Sequence, residues 1–175
     1  MSTFTQRMMG AAMLNVATYE EVEHDRTATG QAAGVVALVA VASALGAARS
    51  GGPGMVSALI SALVGWAAWS AVTYFVGTRL FHGTADWGEM ARTIGFAQTP
   101  GLLSLLGWIP ILGGLFALVG AIWTLVCVIV AIRQALDFDT GKAIGTAVVG
   151  FLVYVAISVA VGLLFGGARA LGSVF

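Results

Sequence analysis

From Thr93 to Ile132 the chain carries no Asp, Glu, Lys or Arg. Three shorter runs share this property: Thr27 to Ala48, Ser50 to Thr78 and Ala143 to Ala168. A helix needs about 20 apolar residues to cross the hydrocarbon core of a bilayer. Each run is long enough, and the longest has room for two crossings. Charged residues make up 9% of the chain and hydrophobic ones 59%, against about 25% charged in a soluble domain. So few charges cannot cover a water-facing surface, and the pattern predicts an all-α integral membrane protein.

Breakers and charges divide the runs into five spans. The first reads Gln31 to Ala48, closed by Arg49 and the breaker cluster Gly51, Gly52, Pro53, Gly54. The second runs from Met55 to Thr78. The third covers Trp87 to Gly107 and is kinked at Pro100, which lacks a backbone donor. Asp86 and Glu89 have the spacing of a capping pair that would start it. A turn over Trp108 to Gly114 leads into a fourth span, Ile111 to Ile132, and the fifth runs from Ala143 to Phe165. Ahead of the first, Met8 to Val16 reads as an amphipathic helix lying in the interface, with Thr18 and Glu21 spaced to cap a second short helix. The expected organisation is an N-terminal segment over residues 1–29, a five-helix domain over 30–168 and a short tail over 169–175.

Lys and Arg set the orientation. With five spans and a cytoplasmic N-terminus, Arg7, Arg26, Arg79, Arg92, Arg133 and Lys142 all fall inside, and only Arg49 and Arg169 outside. A re-entrant third segment would make the count four and shrink that bias. No basic n-region precedes the first apolar run, so a cleavable signal peptide is not expected. The C-terminus is expected on the side opposite the N-terminus.

The side chains exclude several functions. Net charge is zero, so no basic field exists to attract nucleic acid. The single Cys127 excludes an internal disulfide and a Cys-rich metal site. No catalytic set, phosphate-binding Gly loop or zinc motif is readable, and no enzyme activity, cofactor or metal is expected. His24 and His82 both lie near the boundary of the apolar runs, which does not suit a transmembrane haem pair. Gly-x-x-x-Gly pairs at Gly30/Gly34, Gly141/Gly145 and Gly162/Gly166 permit close helix approach, but 24 Gly in 175 residues produce such pairs by chance.

Two groups remain as candidate sites. Glu20, Glu21, Glu23 and Asp25, beside His24, form an acidic cluster suited to a basic partner or a hard cation. The plainer alternative is a solvated helix face. Gln98-Thr99-Pro100 is a polar break inside the third span, of the kind that forms substrate sites in transporters. The plainer alternative there is a Pro kink whose polar neighbours bond to adjacent helices. The absence of an ionisable group deep in a span argues against a proton or sodium relay.

From Arg92 onward the chain resembles the Yip family, the Ypt-interacting-protein domain. The resembling residues are Arg92-Thr-Ile-Gly-Phe-Ala-Gln-Thr-Pro100, Leu102-Leu103, Trp108-Ile109-Pro110 with Gly113, Trp123, Arg133-Gln-Ala135 and Lys142-Ala143. Upstream, Thr18-Tyr-Glu-Glu-Val-Glu-His-Asp25 is similar to prokaryotic members. The resemblance implies five spans and a cytoplasmic N-terminus. Eukaryotic relatives bind lipidated Rab GTPases and carry a long cytoplasmic region, whereas here about 30 residues precede the first span; that brevity resembles prokaryotic members, where Rab traffic does not exist, so the activity is not carried over. The expectation is a non-enzymatic membrane-organising, partner-binding or accessory subunit in a prokaryotic inner or plasma membrane. Its partners would be the bilayer and other membrane proteins or itself. The alternative is a small channel or carrier for a neutral solute or lipid that uses the break at Pro100. A weaker reading is cation or headgroup sensing by Glu20 to Asp25.

Overall fold

Apolar sequence inside a bilayer must satisfy its backbone locally, and every long apolar run of this chain is helical. The computed structural model describes residues 2–48 and 54–172, with side chains described through Ala160 except Ser158. Arg49 and the breaker residues Gly51, Gly52 and Pro53 lie outside the described residues. The elements are α1 (Phe4–Ala12), α2 (Val16–His24), α3 (Ala28–Gly46), α4 (Met55–Arg79), α5 (Trp87–Ala97), a 3-10 segment (Thr99–Trp108), α6 (Leu112–Ala135) and α7 (Thr140–Gly172). Among the described residues there is no strand. Among the same residues four helices are long and apolar enough to cross a membrane: α3, α4, α6 and α7.

The third expected span is two pieces. Asp86 and Glu89 close both bonds of the capping box at the start of α5. The helix then ends at Ala97, because Pro100 has no N–H to offer the Phe96 carbonyl. Thr99 Oγ1 supplies that bond at 2.7 Å, and the N–H of Gly101 donates to the Gln98 carbonyl at 2.8 Å. The chain continues in tighter turns to Trp108.

This narrow segment lies between α3 and α6. Along α3 the contacts keep one register: Gly95 at Ala32, Gly101 at Val39, Ser104 at Ser43 and Gly107 at Gly46. A methyl group on Gly46 would sit 2.0 Å from the Ser104 carbonyl oxygen, and one on Gly95 2.7 Å from the Ala32 Cβ. Side α6 runs back antiparallel, with Gly113 against Gly107 and Gly120 against Pro100. Helices α4 and α7 pair antiparallel, through Gly145 at Phe81 and through Trp69 edge-on to Phe151 and Tyr154. Of the described Gly-x-x-x-Gly pairs, neither Gly30/Gly34 nor Gly141/Gly145 supplies the close contact of α3 with the 3-10 segment, and at Gly30 nothing lies within 4 Å.

The N-terminal region differs from the single interfacial helix expected over Met8–Val16. The stretch is broken at Met13–Asn15, where Leu14 takes a φ of 59°. Helices α1 and α2 form a hairpin that packs on α5 and α6. Thr3 and Gln6, not Thr18 and Glu21, make the capping box; Asn15 precedes α2 without a side-chain bond. Helix α7 continues past the expected end at Phe165 to Gly172.

Gly46→Ala is expected to destabilise the protein by about 1–3 kcal/mol through overpacking, read as a lower unfolding midpoint in detergent. Gly30→Ala should leave the midpoint unchanged or slightly raised, since Ala is the better helix former. Equal midpoints for the two variants would contradict the close α3 contact.

Candidate functional site

Charged residues of the described chain gather where α2 meets α3, α4 meets α5 and α6 meets α7. These junctions share one end of the bundle: Thr84 Oγ1 donates to Asp137 Oδ2 at 2.9 Å, and Gly83 packs on Leu136 and Phe138. Glu20, His24, Arg26, Arg133, Asp139 and Lys142 are exposed there. The turn between the 3-10 segment and α6, Ile109 to Ile111, carries no charge.

Arg7, on α1, is 2% exposed and organises two of the four acids of the cluster. Its Nη2 donates to Glu21 Oε1 at 2.9 Å and to Asp25 Oδ2 at 2.7 Å, and its Nη1 to Gln31 Oε1 at 3.0 Å. The Ser2 hydroxyl and backbone N–H donate to the two Glu21 oxygens at 2.7 and 2.9 Å. The bonds from Ser2, joined by Arg7, hold the Glu21 carboxyl down at about 2. The Thr27 hydroxyl and Arg7 hold Asp25 at about 2 as well. Both carboxylates are therefore ionised acceptors of an internal network. Glu20 stays exposed, its carbonyl 2.9 Å from His24 Nδ1.

Glu23 is different. It is buried, and among the described residues its carboxylate has no hydrogen-bond or ion-pair partner. Burial pushes its carboxyl up to about 7, opposed by His24 and assisted by Glu89, Asp137 and Glu20. The Glu23 main chain is held firmly. Arg92 Nε donates to the carbonyls of Val22 and Glu23, each at 3.0 Å, and Nη2 bonds the Glu23 carbonyl again. The last carbonyls of a helix have no intrahelical donor, and a cation is favourable at that end. Arg92 is 5% exposed and closes the end of α2. The end of α1 is closed by α6 and α2: Trp123 Nε1 of α6 donates to the Ala12 carbonyl at 2.7 Å, and the Tyr19 hydroxyl of α2 to that of Ala11 at 3.0 Å.

Gln98, Thr99 and Pro100 stand at the junction of α5 and the 3-10 segment. Thr99 and Pro100 are buried, and Thr99 is committed to Phe96. Gln98 is half-buried, and its side chain lines clefts on both flanks of α4. The break is therefore remote from the charged end, about 16 Å along α5.

Sequence reasoning singled out the acids and missed their organisers. Arg7 and Arg92 look like ordinary flanking charges, because their partners lie on other helices. The available signal was a lone Arg in a short apolar helix followed, one hairpin later, by carboxylates four residues apart. Among the described residues no group of three His, Cys, Asp or Glu side chains is placed to hold a metal ion.

Among the described residues, four apolar helices long enough to cross a bilayer, with most of the charges at one end, define a polytopic helical membrane protein. The family model described as the Yip1 domain matches residues 12–168. The chain belongs to that family. Comparison with curated proteins and with solved structures found no match.

Glu23 gives a pH dependence with a definite sign. Its folded value of about 7 lies above the ordinary 4.5, so its neutral form stabilises the fold fully below the ordinary value. That contribution is lost as pH rises through about 7. Glu23→Gln should raise the unfolding midpoint at about pH 8 and flatten its fall between about pH 5 and pH 8. A midpoint at or below the parent's at the higher pH would refute this account. Arg92→Ala should cost about 2–3 kcal/mol by leaving charge-assisted bonds to α2 unmade, with faster limited proteolysis in the hairpin.

Proposed function

We propose that this chain is a non-enzymatic, five-span membrane protein whose charged end binds other membrane proteins, as a membrane-organising or accessory subunit. The observation that carries this reading is the segregation of charge. Exposed Glu20, His24, Arg26, Arg133, Asp139 and Lys142 share one end of a bundle whose described surface is elsewhere mostly apolar. Of the acidic cluster, Glu20 is the member offered to a partner; Glu21 and Asp25 serve Arg7, and Glu23 faces inward.

The packing register supports a fifth crossing. Helix α5 and the 3-10 segment follow α3 from Ala32 to Gly46 in the same direction. Their 11 and 10 residues extend to about 36 Å, against a hydrocarbon core of about 30 Å. With five crossings, the excess of Arg and Lys assigns the charged end to the cytoplasm of an inner or plasma membrane. The hairpin of residues 1–29 then belongs to the cytoplasmic side of the five-helix unit over 30–168.

The test is crosslinking in native membranes followed by mild-detergent purification. A membrane-protein companion in fixed stoichiometry is expected, lost when Arg26→Glu and Arg133→Glu are combined while the unfolding midpoint is kept. A chain that runs as a monomer and captures no companion would refute the reading.

A further inference from the structure

Gln98 follows the 11 residues of α5, so it lies near the middle of the apolar slab rather than at either end. Its backbone groups are bonded to Gly95 and Gly101. Its side-chain amide has no partner among the described residues and borders two clefts. The first, of about 400 Å³, separates α3 from α4 and has Val39, Ala44, Ala58 and Ser61 in its walls. The second, of about 280 Å³, separates α4 from α7 and is walled by Trp69, Phe151 and Tyr154. Both are bordered by Gly65, Trp66 and Gln98. The Tyr154 hydroxyl lies 3.5 Å from where a Cβ on Gly65 would stand.

Three properties define what fits. A primary amide in apolar surroundings needs hydrogen-bond partners, and the two clefts that share Gln98 are bordered by further hydroxyl residues, Ser61 on the first and Tyr154 on the second. Among the described residues, no Asp, Glu, Lys, Arg or His borders either cleft, so a charged head would be desolvated there without a counter-charge. The neighbouring α4 residues Val56, Ile60 and Val64 are exposed on the apolar surface, so the occupant arrives from the bilayer. The first cleft lies within the range of small-molecule sites, roughly 300–1,000 Å³, and the second just below it.

We propose that the Gln98 clefts bind one uncharged membrane lipid, its hydrogen-bonding head at the Gln98 amide and its apolar body along the α3–α4 groove. Trp66 fixes the inner wall, since its Nε1 is already committed to the Ala91 carbonyl at 2.9 Å. The site is separate from the charged end, so either reading can fail alone. Binding is independent of transport.

The probe is a diacylglycerol carrying a photoreactive diazirine on one acyl chain, incorporated at trace level into liposomes holding the full chain. Labelled peptides are mapped by mass spectrometry. Labelling is expected on α3 and α4 residues that line the groove, competed by unlabelled diacylglycerol. Gln98→Leu removes the head partner and should lower apparent affinity about tenfold, the effect of one or two lost hydrogen bonds. Gly65→Leu fills the meeting point of the clefts and should abolish groove labelling. Its Cβ makes only an ordinary contact. Ser61→Ala, at an exposed position, provides a variant with the fold intact and a smaller loss. The proposal is overturned if labelling spreads evenly over Val56, Ile60, Val64 and the exposed face of α6 and ignores all three variants, which is annular lipid only. Equal groove labelling by a photoreactive phosphatidylglycerol would overturn the neutral-head requirement, and with it the proposal.

Discussion

Each helix end buried inside this bundle has to be closed by a side chain, because the surroundings offer no water to the last carbonyls. Three closures meet that requirement. The indole of Trp123 and the phenol of Tyr19 close α1, Arg92 closes α2, and the hydroxyl of Thr99 closes α5. An unmade bond of this kind costs several kcal/mol in hydrocarbon, comparable with the whole stability of a typical fold. The hairpin, the centre and the break of the molecule all depend on these contacts. The closure of α1 also fixes depth: Trp123 lies about 18 Å back from the Ala135 end of α6, so the hairpin turn reaches well along the bundle.

The centre is thin. A 3-10 segment is narrower than an α-helix, and it faces glycines on both sides, Gly46 on α3 and Gly113 on α6. Backbone packs on backbone there, giving dispersion contact without a hydrophobic driving force, which helices in lipid do not have. Above the charged end, α4 stands off from α3 enough to leave a cleft. Tight packing on one side of the broken helix and a gap on the other both converge on Gln98. The interrupted helix therefore joins the rigid part of the bundle to its most open part.

Electrostatics at the charged end are largely internal. Arg7 on α1, Glu21 on α2, Asp25 just past the end of α2 and Gln31 on α3 tie three elements with one guanidinium. Depressed carboxyl values mean that this tie holds throughout the physiological range and is lost only as pH falls toward about 2. Glu23, a few residues away, has the opposite bias and ionises near neutrality. One short helix thus carries two fixed charges, one variable charge and one exposed charge at Glu20. Its surface offers a partner far fewer carboxylates than its sequence does.

The sequence by itself determined the class and most of the boundaries. Charge-free runs place the long helices to within a few residues, since hydrocarbon excludes charge whatever the helices do with one another. The box at Asp86 and Glu89 and the break at Pro100 were equally legible, because capping and a missing N–H are local events. Long-range contacts were not legible. Met8 to Val16 reads as one amphipathic helix, yet the chain turns at Leu14 so that α1 can end on Trp123. Gly-x-x-x-Gly spacing carried no signal, and Gly46 and Gly95 matter through neighbours about 60 residues away. Only the tertiary structure decided which acids are paired, that Arg7 and Arg92 are buried, and that Gln98 borders open clefts. Those outcomes depend on which helices are brought together, and a linear pattern of apolar residues carries no information about that.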